Sequence, residues 1–155
     1  MDWEWLENRI FERTLTEDER NSLQSVIQRV EFAEGERIMV QNAPGGTLYL
    51  LRSGRVSVEL EFCGETMHLT DVAEGAELGD MSFLDEQGAG ATLIARTPCV
   101  AYKLTRDDLS RLFAYRQEAV VRDLLVHTLK SMSGTIRHMN EAKAAAMQYI
   151  HGRRT

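Results

Sequence analysis

The segment Glu74–Ala95, EGAELGDMSFLDEQGAGATLIA, decides how the rest of the chain is read. It lies between hydrophobic runs that alternate as strands do, and its middle breaks that alternation. Gly79 is followed by Asp80-Met81-Ser82-Phe83-Leu84 at helical spacing, and then by a second loop of small residues, Gly88-Ala89-Gly90. A helical turn set between two strands leaves its first backbone N–H groups without intrahelical partners. The expectation is that Gly79, Asp80 and Met81 open a concavity able to hold an anion or polar ligand, with Gly79 allowing close backbone approach.

On either side of this segment the period is two. Gly35 marks a turn before Ile38–Val40, and Asn42-Ala43-Pro44-Gly45-Gly46 a second one before Leu48–Leu51. Ser53-Gly54 is a tight reversal, after which Val56, Val58, Leu60 and Phe62 alternate with Ser57, Glu59 and Glu61, predicting one buried face and one in water. Cys63-Gly64 reverses the chain again, Met67 and Leu69 carry the returning strand, and Thr92–Arg96 and Val100–Thr105 complete the set. Short strands at regular spacing with glycine turns predict a sandwich or jelly roll.

Helices flank this roll. Trp3, Trp5, Leu6, Ile10 and Phe11 fall at helical spacing, with both tryptophans expected in the core. Thr16 and Glu19 form a capping-box pattern ahead of a helix whose apolar face is Leu23, Val26, Ile27 and Val30. Thr105 caps a short helix through Phe113. From about Arg116 a long helix follows, in which Leu125, Leu129, Met132, Ile136, Met139, Lys143, Ala146 and Ile150 are spaced 4, 3, 4, 3, 4, 3, 4. A helix of that length spans roughly 50 Å, against roughly 30–35 Å for a domain of this size. Part of the seam should overhang the roll. The expected occupant is the same helix of a second chain, with Leu125, Leu129, Met132, Ile136 and Met139 at the interface, while Val120, Val121 and Leu124 offer an inward face toward the roll. The expected division is 1–115 for the roll with its N-terminal helices, and 116–155 for the dimerisation helix.

The order Gly35-Glu36-Arg37-Ile38, Pro44-Gly45-Gly46-Thr47-Leu48-Tyr49-Leu50-Leu51-Arg52-Ser53-Gly54-Arg55-Val56, Gly79-Asp80-Met81-Ser82 and Ala91-Thr92, closed by a long helix, resembles the cyclic nucleotide-binding domain family, the sensor of catabolite activator and Fnr-type regulators. The resemblance runs from about Leu6 to the end of the chain. It implies a mainly β fold with flanking α-helices, an eight-stranded jelly roll and a long C-terminal helix. It also implies a regulatory, non-enzymatic role.

In that family a Gly-Glu pair supplies a carboxylate to the ribose 2′-hydroxyl, and a later Arg pairs with the cyclic phosphate. By the resemblance Asp80 stands at the carboxylate position, and matching Ala91-Thr92 to the family's Ala-Thr places Ala89 where the Arg belongs. The ligand set so implied is Gly79, Asp80, Met81, Ser82, Ala89, Gly90, Ala91 and Thr92, with Thr128 and Ser131 near where the family sets hydroxyls against the base. A buried phosphodiester without its partner charge loses about 2–5 kcal/mol, which is roughly 30-fold to several thousandfold in affinity. Glu77, Asp80, Asp85 and Glu86 make the local field negative, and Arg96 is the nearest basic residue. Cyclic AMP or cyclic GMP is therefore expected to bind weakly or not at all, and no other cofactor is implied. Three other readings stay open: a larger or less anionic ligand, admitted by Gly88-Ala89-Gly90; haem, with His68, Met67, Cys63 and Cys99 as candidate ligands; and a ligand-free dimeric scaffold or adaptor for a protein partner.

Composition bounds these readings. The 155 residues suffice for one cored domain, at 43% hydrophobic and 27% charged. No apolar run approaches a membrane span, and the acidic N-terminus lacks a signal peptide's basic start, so a cytoplasmic chain without membrane contact is expected. Net charge of -6 with a pI near 5.3 disfavours nucleic acid. With the chain ending at Thr155, and Arg137, Lys143, Arg153 and Arg154 dispersed, DNA reading is expected to need a separate chain. Cys63 and Cys99 are too far apart for a zinc or iron–sulfur motif and are expected as half-buried free thiols. No convergent acid pair, activated nucleophile or histidine cluster points to catalysis; His127, His138 and His151 stand 11 and 13 apart.

Overall fold

A computed structural model describes residues 1–152. Eight strands form two four-stranded sheets, and their antiparallel pairings make the expected jelly roll. In the first sheet the order is β1 (Gln28–Phe32), β8 (Cys99–Thr105), β3 (Thr47–Ser53), β6 (Glu77–Leu78). In the second it is β2 (Arg37–Met39), β7 (Thr92–Ala95), β4 (Val56–Phe62), β5 (Glu65–Val72). The interior of the roll is filled by Leu51, Val56, Leu78, Leu93, Ala95 and Cys99. The β3–β4 reversal needs glycine: Gly54 has φ +100, and a Cβ there would lie 2.6 Å from Cys99 Sγ.

A larger core lies on the outer face of the first sheet, where Leu48, Leu50, Tyr102 and Leu104 meet the helices. Helix α1 (Trp3–Leu6) continues as a π-helical turn over Glu7–Phe11, which sets Leu6, Ile10 and Phe11 inward. Trp5 is in this core and Trp3 packs against it. Helix α2 (Glu17–Val26) begins in the expected capping box, with the Glu19 amide on Thr16 Oγ1 at 3.2 Å and the Thr16 amide on Glu19 Oε2 at 2.8 Å. Glu19 also accepts from Arg13, which donates through Nε to Asp123 at 2.6 Å and so ties the N-terminal segment to the last helix. The Thr105 cap is a second capping box, closed by Asp108, at the start of α4 (Arg106–Ala114).

The long helix α5 (Glu118–Gly152) has 35 residues. It starts two residues later than expected because Arg116 takes a left-handed φ of +58, which separates it from α4. Val120, Val121, Leu124 and Thr128 are its buried residues, and from Ser133 to Gly152 every residue is exposed. That stretch of 20 residues extends about 30 Å beyond the roll.

Three expectations fail. Val30, expected on the apolar face of α2, lies on β1 opposite Ala101, because α2 ends at Val26. The alternation along β4 does not set burial: Ser57 is fully buried, whereas Phe62 is 63% exposed and Met67 and Leu69 on β5 are exposed too. The cause is the end of the sheet. β7 pairs with β4 only from Val56 to Glu59, so the hairpin beyond a register shift at Val58/Glu59 projects past its own core. The cysteines are not half-buried either. Cys63 is exposed in a turn with φ +53, and Cys99 is buried inside the roll, where burial pushes its thiol above the ordinary range.

Candidate functional site

The helical turn foreseen between the strands is α3 (Asp80–Asp85), which follows β6 directly. Gly79 is its N-cap at φ +79, and a Cβ there would lie 2.5 Å from the Thr47 carbonyl and 2.6 Å from Met39 Cε. Glycine is thus required both by conformation and by the close approach of β2 and β3. Ser82 is buried and donates through Oγ to the Gly79 carbonyl at 3.2 Å. Met81 is exposed and Asp80 half-buried.

The small-residue loop returns alongside. Ala89 is 1% exposed and is held by two backbone bonds: its amide donates to the Ala43 carbonyl at 2.9 Å, and its carbonyl accepts from the Asn42 amide at 2.8 Å. Gly90 is exposed and Ala91 half-buried. Thr92 opens β7 opposite Glu59 and accepts the Gln41 amide at 3.0 Å. Segment 79–92 and loop 42–46 therefore form one packed unit at the end of the roll.

The electrostatics of this unit are unfavourable for an anion. The Met81 amide, near the start of the turn, is taken by Asp80 Oδ1 at 2.9 Å. Burial holds the Asp80 carboxyl above the usual carboxylate range even so. Segment 79–92 contains no Lys, Arg or His. Arg96 instead lies on the outer face of the second sheet, donating through Nη2 to Glu59 Oε1 at 3.0 Å and Ser57 Oγ at 3.2 Å.

Sequence reading missed Arg106. Its guanidinium donates to the Phe83 carbonyl at 2.8 and 3.1 Å and to the Ser82 carbonyl at 3.1 Å, and it meets Glu86 at 2.7 Å. It thereby satisfies carbonyls at the end of α3 and fastens that helix to the start of α4. The available signal was a basic residue at the first position of a capped helix, where a cation opposes the helix dipole and needs another reason to be present.

Thr128 is buried and lies against β6: its Oγ1 is 3.2 Å from Glu77 Oε1 and 3.0 Å from the Leu124 carbonyl. Ser131 and Met132 are half-buried, as is Leu125. Leu129, Ile136 and Met139 are 60%, 56% and 64% exposed.

One constellation on the second sheet has the residue types of a hydrolytic relay. Ser57 Oγ lies 3.0 Å from His68 Nδ1, and His68 Nε2 lies 3.6 Å from Asp71 Oδ1. Ser57, however, is 0% exposed and accepts a hydrogen bond from Arg96. A carbonyl substrate cannot reach it, so the arrangement works as a polar clasp joining β4, β5 and the residue that follows β7.

Comparison with known proteins agrees with this architecture. Residues 29–116 match the family model described as cyclic nucleotide-binding domain. Over 120 residues the chain is 25% identical to a cGMP-dependent protein kinase of Eimeria tenella, an alignment covering 77% of this chain and 12% of the kinase; the chain is thus a small fraction of that relative's length. A cyclic nucleotide-binding domain from Methylobacillus flagellatus superposes with a TM-score of 0.81 at 21% identity, over 90% of this chain and 81% of that one. A further neighbour is the regulatory subunit of a cAMP-independent protein kinase A from Trypanosoma brucei. It superposes with a TM-score of 0.65 at 27% identity, over 84% of this chain and 45% of that one. That structure carries three substitutions, one of them introducing an arginine, and is bound to cAMP in its A site. With its roll, its embedded helical turn and the match across most of the β strands, this chain belongs to the cyclic nucleotide-binding domain family.

Proposed function

We propose that the chain is a non-enzymatic regulatory domain in which the roll has given up tight binding of cyclic AMP and cyclic GMP, and which signals through a dimer paired along α5. The observation that carries this reading is the state of segment 79–92: no basic side chain, and the Met81 amide occupied by the carboxylate of Asp80. A cyclic phosphate would enter beside a half-buried carboxyl already raised by burial, and would raise it further. The Arg106 guanidinium that reaches α3 is committed to Ser82, Phe83 and Glu86, and Arg96, on the outer face of the second sheet, to Glu59 and Ser57.

The dimer reading is supported by the exposed stripe Leu129, Ile136, Met139 and Ile150 on a helix that projects beyond its own core. A second chain offering the same stripe would bury both. Reporting then passes to a protein partner by the angle between the paired helices rather than by direct contact with nucleic acid.

The direct test is Ala89→Arg. Thermal unfolding of the wild-type chain should be unmoved by saturating cyclic AMP, whereas the variant should be stabilised by it. The Trypanosoma brucei structure carries an introduced arginine among its three substitutions and has cAMP bound in its A site. A wild-type chain stabilised as strongly as the variant would refute the reading. Indifference of both would favour the ligand-free scaffold, for which the packing of Met39 and loop 42–46 on Gly79, Ser82 and Gln87 is the supporting observation.

A further inference from the structure

Glu77 is the residue on β6 just ahead of Leu78 and Gly79, and it faces the helices rather than the roll interior, because it pairs with Leu50 of the outer core. Its side chain is 1% exposed, and its Oε2 is buried without a hydrogen-bond partner. Across from it on α5 stands His127, whose Nε2 is also buried and unpartnered; it lies 3.3 Å from Glu77 Oε1 but out of line for a hydrogen bond. A buried carboxylate with one oxygen unsatisfied, facing the buried Nε2 of a half-buried imidazole, is costly unless the pair shares a proton.

The neighbouring hydroxyl makes the same point by counting protons. Thr128 Oγ1 lies within reach of both the Leu124 carbonyl and Glu77 Oε1, at 3.0 and 3.2 Å. The carbonyl can only accept, and the hydroxyl has one proton to give. Given to Glu77 Oε1, that proton stabilises the charged carboxylate yet still leaves Oε2 buried without a partner. The position matters as much as the chemistry. Thr128 is the last fully buried residue of α5, so this contact sits where the helix leaves the domain.

We propose that Glu77 and His127 form a proton-operated latch that pins α5 to the roll next to segment 79–92. The helix is held most firmly while the pair carries one proton between them, and a second proton or the loss of the last one loosens it. Burial pushes the Glu77 carboxyl up to about 7, with Asp80 of α3 adding repulsion and the Thr128 hydroxyl partly opposing it. Burial pulls the His127 imidazole below its ordinary value; Glu12 on the N-terminal segment raises it, while Lys130 of α5 and Arg9 lower it. Glu12 and Lys130 also pair with each other at 3.2 Å over the same junction.

The signs follow from linkage. A carboxyl raised in the docked state stabilises docking at low pH and loses that contribution as pH rises toward the docked value. An imidazole lowered in the docked state opposes docking once pH falls below its ordinary value. Docking is therefore tightest in mild acid, where Glu77 is protonated and His127 still neutral. That a loosened α5 changes what the roll reports rests on the regulatory reading above. The latch itself is measured on the ligand-free chain, so the two can fail separately.

The experiment is amide exchange across residues 124–132 of the full chain from about pH 5 to 9, corrected for intrinsic exchange, beside carbon-detected titration of Glu77 and His127. Protection should fall by on the order of tenfold per pH unit between about pH 6 and 7 and then level off. Glu77→Gln should abolish this fall, and His127→Gln should let protection keep rising below about pH 6. A flat wild-type profile, or an unaltered fall in Glu77→Gln, would overturn the proposal. Should a variant fail to fold, the wild-type titration decides: a Glu77 carboxyl that titrates as an ordinary exposed glutamate refutes the latch.

Discussion

The Met81 amide donates to the carboxylate of Asp80, the residue immediately before it, at 2.9 Å. A chain that presents a helical turn to an anion normally leaves such amides open. Here the protein's own carboxylate occupies the donor, on a turn of only six residues. That contact, with the absence of Lys, Arg and His from segment 79–92, is the physical basis of the proposal that this roll binds cyclic phosphate weakly.

Arg106 holds α3 in place. Replacing it with alanine removes charge-assisted hydrogen bonds to the Ser82 and Phe83 carbonyls. The expected cost is about 1.5–3 kcal/mol. Amide exchange should locate the loss at residues 80–88, and global unfolding alone, with no local loosening there, would count against the clamp.

The apolar stripe on α5 should set the oligomeric state. Ile136 is 56% exposed in the projecting part of the helix, so Ile136→Asp should leave folding intact. Light scattering should report a dimer for the wild-type chain and a monomer for the variant. Equal masses would reject pairing through this helix.

The Arg13, Glu19 and Asp123 contacts make a defined contribution to pH-dependent stability. The Arg13 guanidinium, joined by the Thr16 amide, holds the Glu19 carboxyl below its ordinary value. The contribution is therefore present above the unfolded carboxyl's pKa and lost as pH falls through the lower folded one. Urea unfolding of Glu19→Gln should show a deficit near neutral pH that shrinks in strong acid; a deficit constant with pH would contradict this.

The two thiols should react at different rates. Cys63 is exposed in its turn, whereas Cys99 is buried and lies within 3.4 Å of the Arg55 carbonyl, with its thiol raised by burial. A thiol reagent should modify one cysteine rapidly, and the second only on unfolding.

Much of the fold was legible because its signals are local. Both capping boxes, the turn glycines and the helical turn at Gly79 depend on residues a few positions apart. What escaped reading depends on distant partners. Ser57 is on the water-facing side of its strand by alternation, yet Arg96 from beyond β7 and His68 from β5 close over it. Phe62 keeps the inward parity but lies on the part of β4 beyond Glu59, where pairing with β7 has ended and the hairpin projects past the core. The same distance hid Arg106, 23 residues from Phe83, and the pairing of Glu77 with His127, whose partner residues share no local pattern.

Calorimetric titration of the wild-type chain with cyclic AMP and cyclic GMP tests the central claim most directly. The account predicts no saturable heat at ligand concentrations up to about 0.1 mM, in keeping with the loss of several kcal/mol of phosphate pairing. A stoichiometric isotherm with a Kd of about 1 µM or tighter would mean that a basic group reaches the phosphate in segment 79–92 after all, and would contradict it.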